Sequence, residues 1–135
     1  MKNNMYPKVH VIVLNWNNKE LTEQCLLSIQ RIDYPNYEIL IVDNKSTDNS
    51  INIVTEMKKK INNIRLIENE KNLGRIQNWN VGIEKADGDY LIFLFANDLI
   101  NEKNNVHEVI EKLDSDKTIS ICISGLLKKE ESKQY

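Results

Sequence analysis

A chain of 135 residues fits one domain and can bury roughly two thirds of the surface its unfolded form exposes. Its 41% hydrophobic and 28% charged residues belong to a folded globular protein and exclude a disordered one. A net charge of -2 gives no general attraction to nucleic acid or anionic lipid, so an anionic ligand must be held by a local site.

Apolar strand-like runs alternate with amphipathic segments along the chain. This predicts an α/β doubly wound domain, a mainly parallel sheet with helices on both faces. Residues 9–14 form the first run, and Leu21, Cys25, Ser28, Ile29 and Ile32 then fall on one helical face. Pro35 is expected to end that helix and to bias Tyr34 toward an extended conformation, leading into a second strand over residues 37–42. Ser46, Thr47 and Asp48 are candidate caps for a second helix carrying Ile51, Val54, Met57 and Ile61. Lys58, Lys59 and Lys60 suit the negative pole at its end and read as a solvated terminus.

Residues 64–67 predict a third strand, and Ile76, Trp79 and Ile83 a third amphipathic helix that starts after a turn at Gly74 and exits at Gly88. Residues 90–95 form the most apolar strand, expected at the centre because it lacks the alternation of a half-exposed one. Val106, Val109, Ile110 and Leu113 give a fourth helix, residues 119–123 a last strand, and residues 128–135 a polar, frayed tail.

Cys25 and Cys122 read as small buried hydrophobes without metal-ligand spacing. His10 and His107 lack partners at ligand spacing and read as structural or surface residues. No run approaches the roughly 20 apolar residues of a membrane span, and no basic-then-apolar leader opens the chain. The expected location is cytoplasmic, with peripheral attachment of a full enzyme to the inner membrane face left open.

Open parallel sheets bind ligands beyond the carboxyl ends of their strands. There the sequence places Asn15-Trp16-Asn17-Asn18, the run from Asp43 and Asn44 to Asp48, and Ala96-Asn97-Asp98. Asparagine and aspartate can match the donors and acceptors of a nucleoside base and the hydroxyls of a ribose. The same residues also serve as turns and caps, and Asn72-Leu73-Gly74 and Asn80 have equally plain readings as a turn and a polar helix face.

Taken in order, these segments resemble family 2 glycosyltransferases, inverting enzymes with the Rossmann-like GT-A fold. Residues 9–17 are similar to the opening strand and loop of that family, and Cys25-Leu26-Leu27-Ser28-Ile29 to its first helix. Tyr34-Pro35-Asn36-Tyr37 resembles its approach to strand two, and Ile41-Val42-Asp43-Asn44-Lys45-Ser46-Thr47-Asp48 its nucleotide-binding segment, in an Asp-Asn form. Asn72-Leu73-Gly74, Asn80-Val81-Gly82 and Ala86-Asp87-Gly88-Asp89-Tyr90 follow in the family's order.

The resemblance implies the nucleotide-sugar-binding portion of a transferase for cell-surface polysaccharide or glycoconjugate synthesis. It assigns Asn15, Asn17, Asp43, Asn44, Asn72, Gly74 and Asn80 to a nucleoside-diphosphate sugar. Uridine-linked sugars and thymidine-linked rhamnose both stay open as donors, and the acceptor is unassigned. Phe95-Ala96-Asn97-Asp98 stands where the family has its metal-binding acidic segment, so Asn97 and Asp98 are the candidate ligands of Mg²⁺ or Mn²⁺, with only one carboxylate between them. The family's catalytic base lies in a later segment that no residue here matches. The chain is therefore expected to be one domain over residues 1–135 that stops before the acceptor segment and transfers sugar slowly or not at all on its own. A noncatalytic nucleotide-sugar-binding or interaction module is the alternative. A nucleotidyltransferase is disfavoured because Asn15-Trp16-Asn17-Asn18 lacks a glycine-rich, basic phosphate loop.

Overall fold

The computed structural model describes residues 5–101 and 104–120. Strands and helices alternate: β1 (Val9–Asn15), α1 (Lys19–Ile29), β2 (Tyr37–Asp43), α2 (Ser50–Lys60), β3 (Ile64–Glu68), α3 (Arg75–Lys85), β4 (Tyr90–Phe95) and α4 (Val106–Ser115). The four strands are parallel and lie in the order β3-β2-β1-β4. The chain first builds outward from β1 to β3 and then crosses to the other side of β1. That reversal puts the topological switch point, where open α/β sheets take their ligands, at the carboxyl ends of β1 and β4.

β1 is buried along its whole length because both of its faces are covered. Val9, Val11 and Val13 pack with Ile39, Ile41, Leu26, Val54 and Ile110, a core that carries α1, α2 and α4. Ile12, Leu14, Leu40 and Val42 face the other way and pack with Trp79 and Val81 of α3. The sheet is thus doubly wound, as its sequence pattern predicts.

Two expectations need correction, and a third is not met among the described residues. β4 is an edge strand among the described residues, pairing only with β1, and Phe93 and Phe95 remain 47% and 36% exposed. Its apolar composition still serves both faces of the sheet, since Tyr90, Ile92 and Leu94 pack against the core that carries α1, α2 and α4 while Leu91 and Phe93 lie on the side of α3. The buried face of α3 also differs from the one spaced by Ile76 and Ile83, which are 76% and 45% exposed. Asn78 and Gly82 face the sheet instead. A Cβ at Gly82 would lie 2.7 Å from Ile12 Cγ2, so the missing side chain lets the helix sit against β1.

α1, finally, ends at Ile29, well before Pro35. The amides of Gln30, Arg31 and Ile32 bond to carbonyls three residues back, tightening the chain out of the helix before proline is reached. Of the expected last strand, Ile119 and Ser120 lie outside any strand, while residues 121–123 with Cys122, and the tail 128–135, lie outside the described residues. No helix among the described residues is long and apolar enough to cross a membrane.

Candidate functional site

The sheet ladder extends one residue past the strands at the carboxyl edge. Asn44 N–H bonds to Asn15 O, Ala96 N–H to Leu14 O and Asn69 N–H to Asp43 O, each at 2.9 Å. The loops after all four strands therefore leave from one rim, which brings together the three polar segments singled out in the sequence.

Asn15 and Asp43 form the centre of this rim. Asn15 Nδ2 donates to Asp43 Oδ1 at 2.8 Å and to Ser50 Oγ at 2.9 Å, while Asn15 Oδ1 accepts from Thr22 Oγ1 at 3.2 Å. Asp43 is only 2% exposed. Its Oδ1 also accepts from the Ser46 hydroxyl, and its Oδ2 from Ser46 N–H at 2.9 Å. An ionised carboxylate has about four acceptor sites, so three filled ones leave about one, on Oδ2, for a ligand.

The loop after β2 is sharply bent. Lys45 has a φ of +62°, and the turn it makes lets Ser46 fold back onto Asp43. Asn17, at a φ of +50°, accepts Thr47 N–H at 2.8 Å and Asp48 N–H at 3.2 Å on its Oδ1, locking the first-strand loop to the second. Asp48 then serves two helices, its Oδ2 accepting from Lys19 N–H at 2.9 Å and its Oδ1 from Ser50 N–H at 3.0 Å. The Ncap residue itself is Asn49, whose side chain accepts from Asn52 Nδ2 and makes no capping bond, so Asp48 caps α2 from one position further out than the Ncap. Burial works against the charge of Asp48, but bonds from Ser50 and Lys19 outweigh it and hold the carboxyl below its ordinary range.

Asn44 belongs to a second network. Its Oδ1 accepts Leu73 N–H at 2.7 Å, and its Nδ2 donates to Asn72 Oδ1 at 2.8 Å. Asn72 Oδ1 also accepts Gly74 N–H at 2.8 Å. Backbone N–H groups can only donate, so these bonds fix which end of each amide is oxygen. Gly74, at φ +79° and ψ 165°, adopts a conformation open essentially to glycine alone and starts α3.

Asn69 and Asn78 complete this network, through Asn69 Nδ2 to Asn78 Oδ1 at 2.7 Å and Asn78 Nδ2 to Val42 O at 3.3 Å. Sequence reasoning missed both. Asn69 follows β3 directly, a placement that could have flagged it, whereas nothing in the periodicity marks Asn78 as buried. Asn80 lies two residues further along α3 and is exposed.

At the fourth strand end, Asp98 Oδ2 accepts Phe95 N–H at 2.7 Å and Asn97 is exposed. Among the described residues no three His, Cys, Asp or Glu side chains gather as a metal site. Asp98 Oδ1 and the Asn97 amide oxygen suit a hard cation only as part of a shell that other oxygens complete.

Cys25 is buried beside the Phe95 carbonyl, and burial pushes its thiol up to about 12, which leaves it inert as a nucleophile. His10 lies at the opposite end of the domain from this rim, buried, with Nε2 2.9 Å from Asp87 Oδ1 but off the direction of a hydrogen bond. His107 packs edge-on against Tyr6 and Tyr34. Lys58, Lys59 and Lys60 are exposed at the end of α2.

Residues 10–135 match the family described as "Glycosyl transferase family 2". The chain is 32% identical over 128 residues to the dolichyl N-acetyl-alpha-D-glucosaminyl phosphate 3-beta-D-2,3-diacetamido-2,3-dideoxy-beta-D-glucuronosyltransferase of Methanococcus voltae, covering 90% of this chain and 39% of that protein. It is 34% identical over 99 residues to the poly(ribitol-phosphate) beta-glucosyltransferase of Bacillus spizizenii, covering 71% of this chain and 16% of that protein. Among solved structures, S. aureus TarS in complex with UDP-GlcNAc superposes with a TM-score of 0.72 at 28% identity, over 80% of this chain and 31% of that one. The mannosyltransferase PcManGT from Pyrobaculum calidifontis, in complex with GDP-Man and Mn²⁺, gives 0.66 at 28% identity, over 70% and 28%.

The chain thus spans 39% or less of the length of each of these four proteins. A family match across most of the chain, on a parallel sheet wound from both sides, establishes that it belongs to glycosyl transferase family 2 and has the GT-A fold.

Proposed function

We propose that this chain is the donor-binding part of an inverting glycosyltransferase, which moves a sugar from a nucleoside-diphosphate sugar to an acceptor hydroxyl in polysaccharide or glycoconjugate synthesis. The observation that carries the reading is the coupled pair of networks at the strand ends, Asn15–Asp43–Ser46 and Asn44–Asn72–Gly74, at the rim where an open α/β sheet takes its ligand. Asp43 uses its remaining acceptor site on the ribose or base. Asn15 and Asn17 hold the first loop over the nucleoside, Asn44 and Asn72 set the turn at Gly74 along its other side, and Asn80 borders the site from α3.

UDP-GlcNAc in S. aureus TarS supports a uridine donor, and GDP-Man in PcManGT shows that relatives with this fold differ in base. A Mg²⁺ or Mn²⁺ ion would be held by Asp98 and Asn97 together with the donor's phosphate oxygens, and would offset charge on the departing diphosphate. Inversion follows from attack of the acceptor oxygen on the face of the anomeric carbon opposite that diphosphate, after a carboxylate takes the hydroxyl proton. The dolichyl phosphate-linked sugar in the name of the M. voltae relative supports a lipid-linked acceptor.

A noncatalytic nucleotide-sugar-binding module is the second reading, favoured by Phe95 and Asn97 in the segment where the family carries acidic residues. Incubation with a panel of nucleotide sugars and lipid-linked acceptors tests both. Release of nucleoside diphosphate coupled to a glycosylated product supports the transferase, and binding without release supports the module. Failure of every nucleotide sugar to bind would refute both.

A further inference from the structure

Arg75 is the first residue of α3 and is exposed, and among the described residues it has no carboxylate partner. Its guanidinium carbon lies 6.0 Å from the centroid of the Phe95 ring, at the outer edge of the cation–π range. Trp79 packs edge-on against Phe95 at 5.3 Å and against Phe93 at 5.0 Å, which fixes the ring from the side. The position of Arg75 is set from both directions. Gly74, bonded to Asn72, immediately precedes it, and Phe95 beneath it donates its N–H to Asp98. An unpaired cation therefore spans the turn on the nucleoside side and the turn that carries Asn97 and Asp98.

We propose that Arg75 binds the diphosphate of the donor and that Phe95 positions its guanidinium to do so. This rests on the donor-binding reading above. A guanidinium presents a planar fork of N–H donors that matches phosphate oxygens in pairs. One carboxylate and one amide recruit little metal charge to the same place, so a fixed protein cation there adds what the acidic segment lacks. An aromatic ring in the acidic segment then has a purpose, because a carboxylate at position 95 would pair with Arg75 and withdraw it from the ligand.

Calorimetry with UDP, GDP and dTDP in the presence of a chelator, beside ligand-observed NMR with the corresponding nucleosides, tests the assignment. Arg75→Gln is expected to weaken the nucleoside diphosphate by about 10-fold or more while changing nucleoside affinity by less than about 2-fold. Arg75→Lys should retain part of the binding. Phe95→Leu should lose affinity for the diphosphate that Phe95→Tyr keeps, with all variants melting as the unmodified chain does. Unchanged diphosphate affinity in Arg75→Gln would overturn the assignment and leave the donor-binding reading standing, and equal losses for nucleoside and diphosphate would also overturn it. An unchanged Phe95→Leu removes the positioning role. Absence of binding by the unmodified chain to every nucleotide would defeat the donor-binding reading, and the Arg75 assignment with it.

Discussion

Asn15 and Asp43 end the two central strands side by side and join through a 2.8 Å hydrogen bond from Nδ2 to Oδ1. The bond is buried, so neither group is screened by water and each depends on the other for its satisfaction. It makes the floor of the proposed nucleoside site rigid, since the Ser46 turn and the start of α2 hang from the same two side chains.

Removal of this carboxylate should therefore be felt in binding. Asp43→Ala is expected to weaken the nucleoside diphosphate by about 1–3 kcal/mol, the range for hydrogen bonds to charged groups and for unsatisfied partners. Calorimetry well below the melting temperature of the variant reads it. An unaltered affinity would remove Asp43 from the site.

Gly82→Ala should destabilise the fold although alanine favours helix. The gain in helix propensity is about 1 kcal/mol, whereas overpacking a close contact costs about 1–3 kcal/mol. The new Cβ would meet Ile12 Cγ2 at 2.7 Å and Val42 Cγ2 at 3.2 Å, both branches on rigid β-branched side chains in the central strands. Urea denaturation gives the sign, and a more stable variant would show that α3 can shift away from the sheet at little cost.

Stability should fall on mild acidification through His10. Burial holds its imidazole below the ordinary histidine value of 6.5 against the raising influence of Glu38 and Asp87, with Lys8 and Arg65 adding to the depression. A depressed folded-state pKa means that the unfolded chain takes up the proton first. The contribution is complete above pH 6.5 and is lost as pH falls through the folded value. Urea midpoints between about pH 8 and about pH 5 should drop in the unmodified chain and drop less in His10→Leu. Parallel profiles would mean that the Asp87 carboxylate pairs with the charged ring well enough to cancel its burial.

Metal should bind here only together with the ligand. Asp98 offers one uncommitted carboxylate oxygen, which offsets the dehydration of a divalent ion poorly unless a diphosphate adds its own oxygens. Mn²⁺ is expected to tighten nucleoside diphosphate binding in the unmodified chain and to have no such effect in Asp98→Ala. Tightening that survives in the variant would place the ion elsewhere.

Several of these features could be read directly from the sequence. The β-branched runs that became β1 and β2 mark buried parallel strands because an element covered on both faces must be apolar on both. The polar residues that directly follow them fall at one carboxyl rim because parallel strands all end on one side. Asn15, Asn17, Asp43, Asn44, Asn72 and Gly74 accordingly meet at the rim, as their positions after strands and in turns suggest.

Tertiary structure alone decided the rest. Periodicity counts apolar side chains, so it put Ile76 and Ile83 on the inner face of α3. It could not register that a glycine gains more by close approach, or that Asn78 can be buried once Asn69 and the Val42 carbonyl satisfy its amide. The pairing of β4 with β1 likewise depends on contacts distant in sequence. The meeting of Arg75 with Phe95 has the same origin: they lie twenty positions apart along the chain, and only the crossover of α3 from one side of β1 to the other brings the cation over the ring.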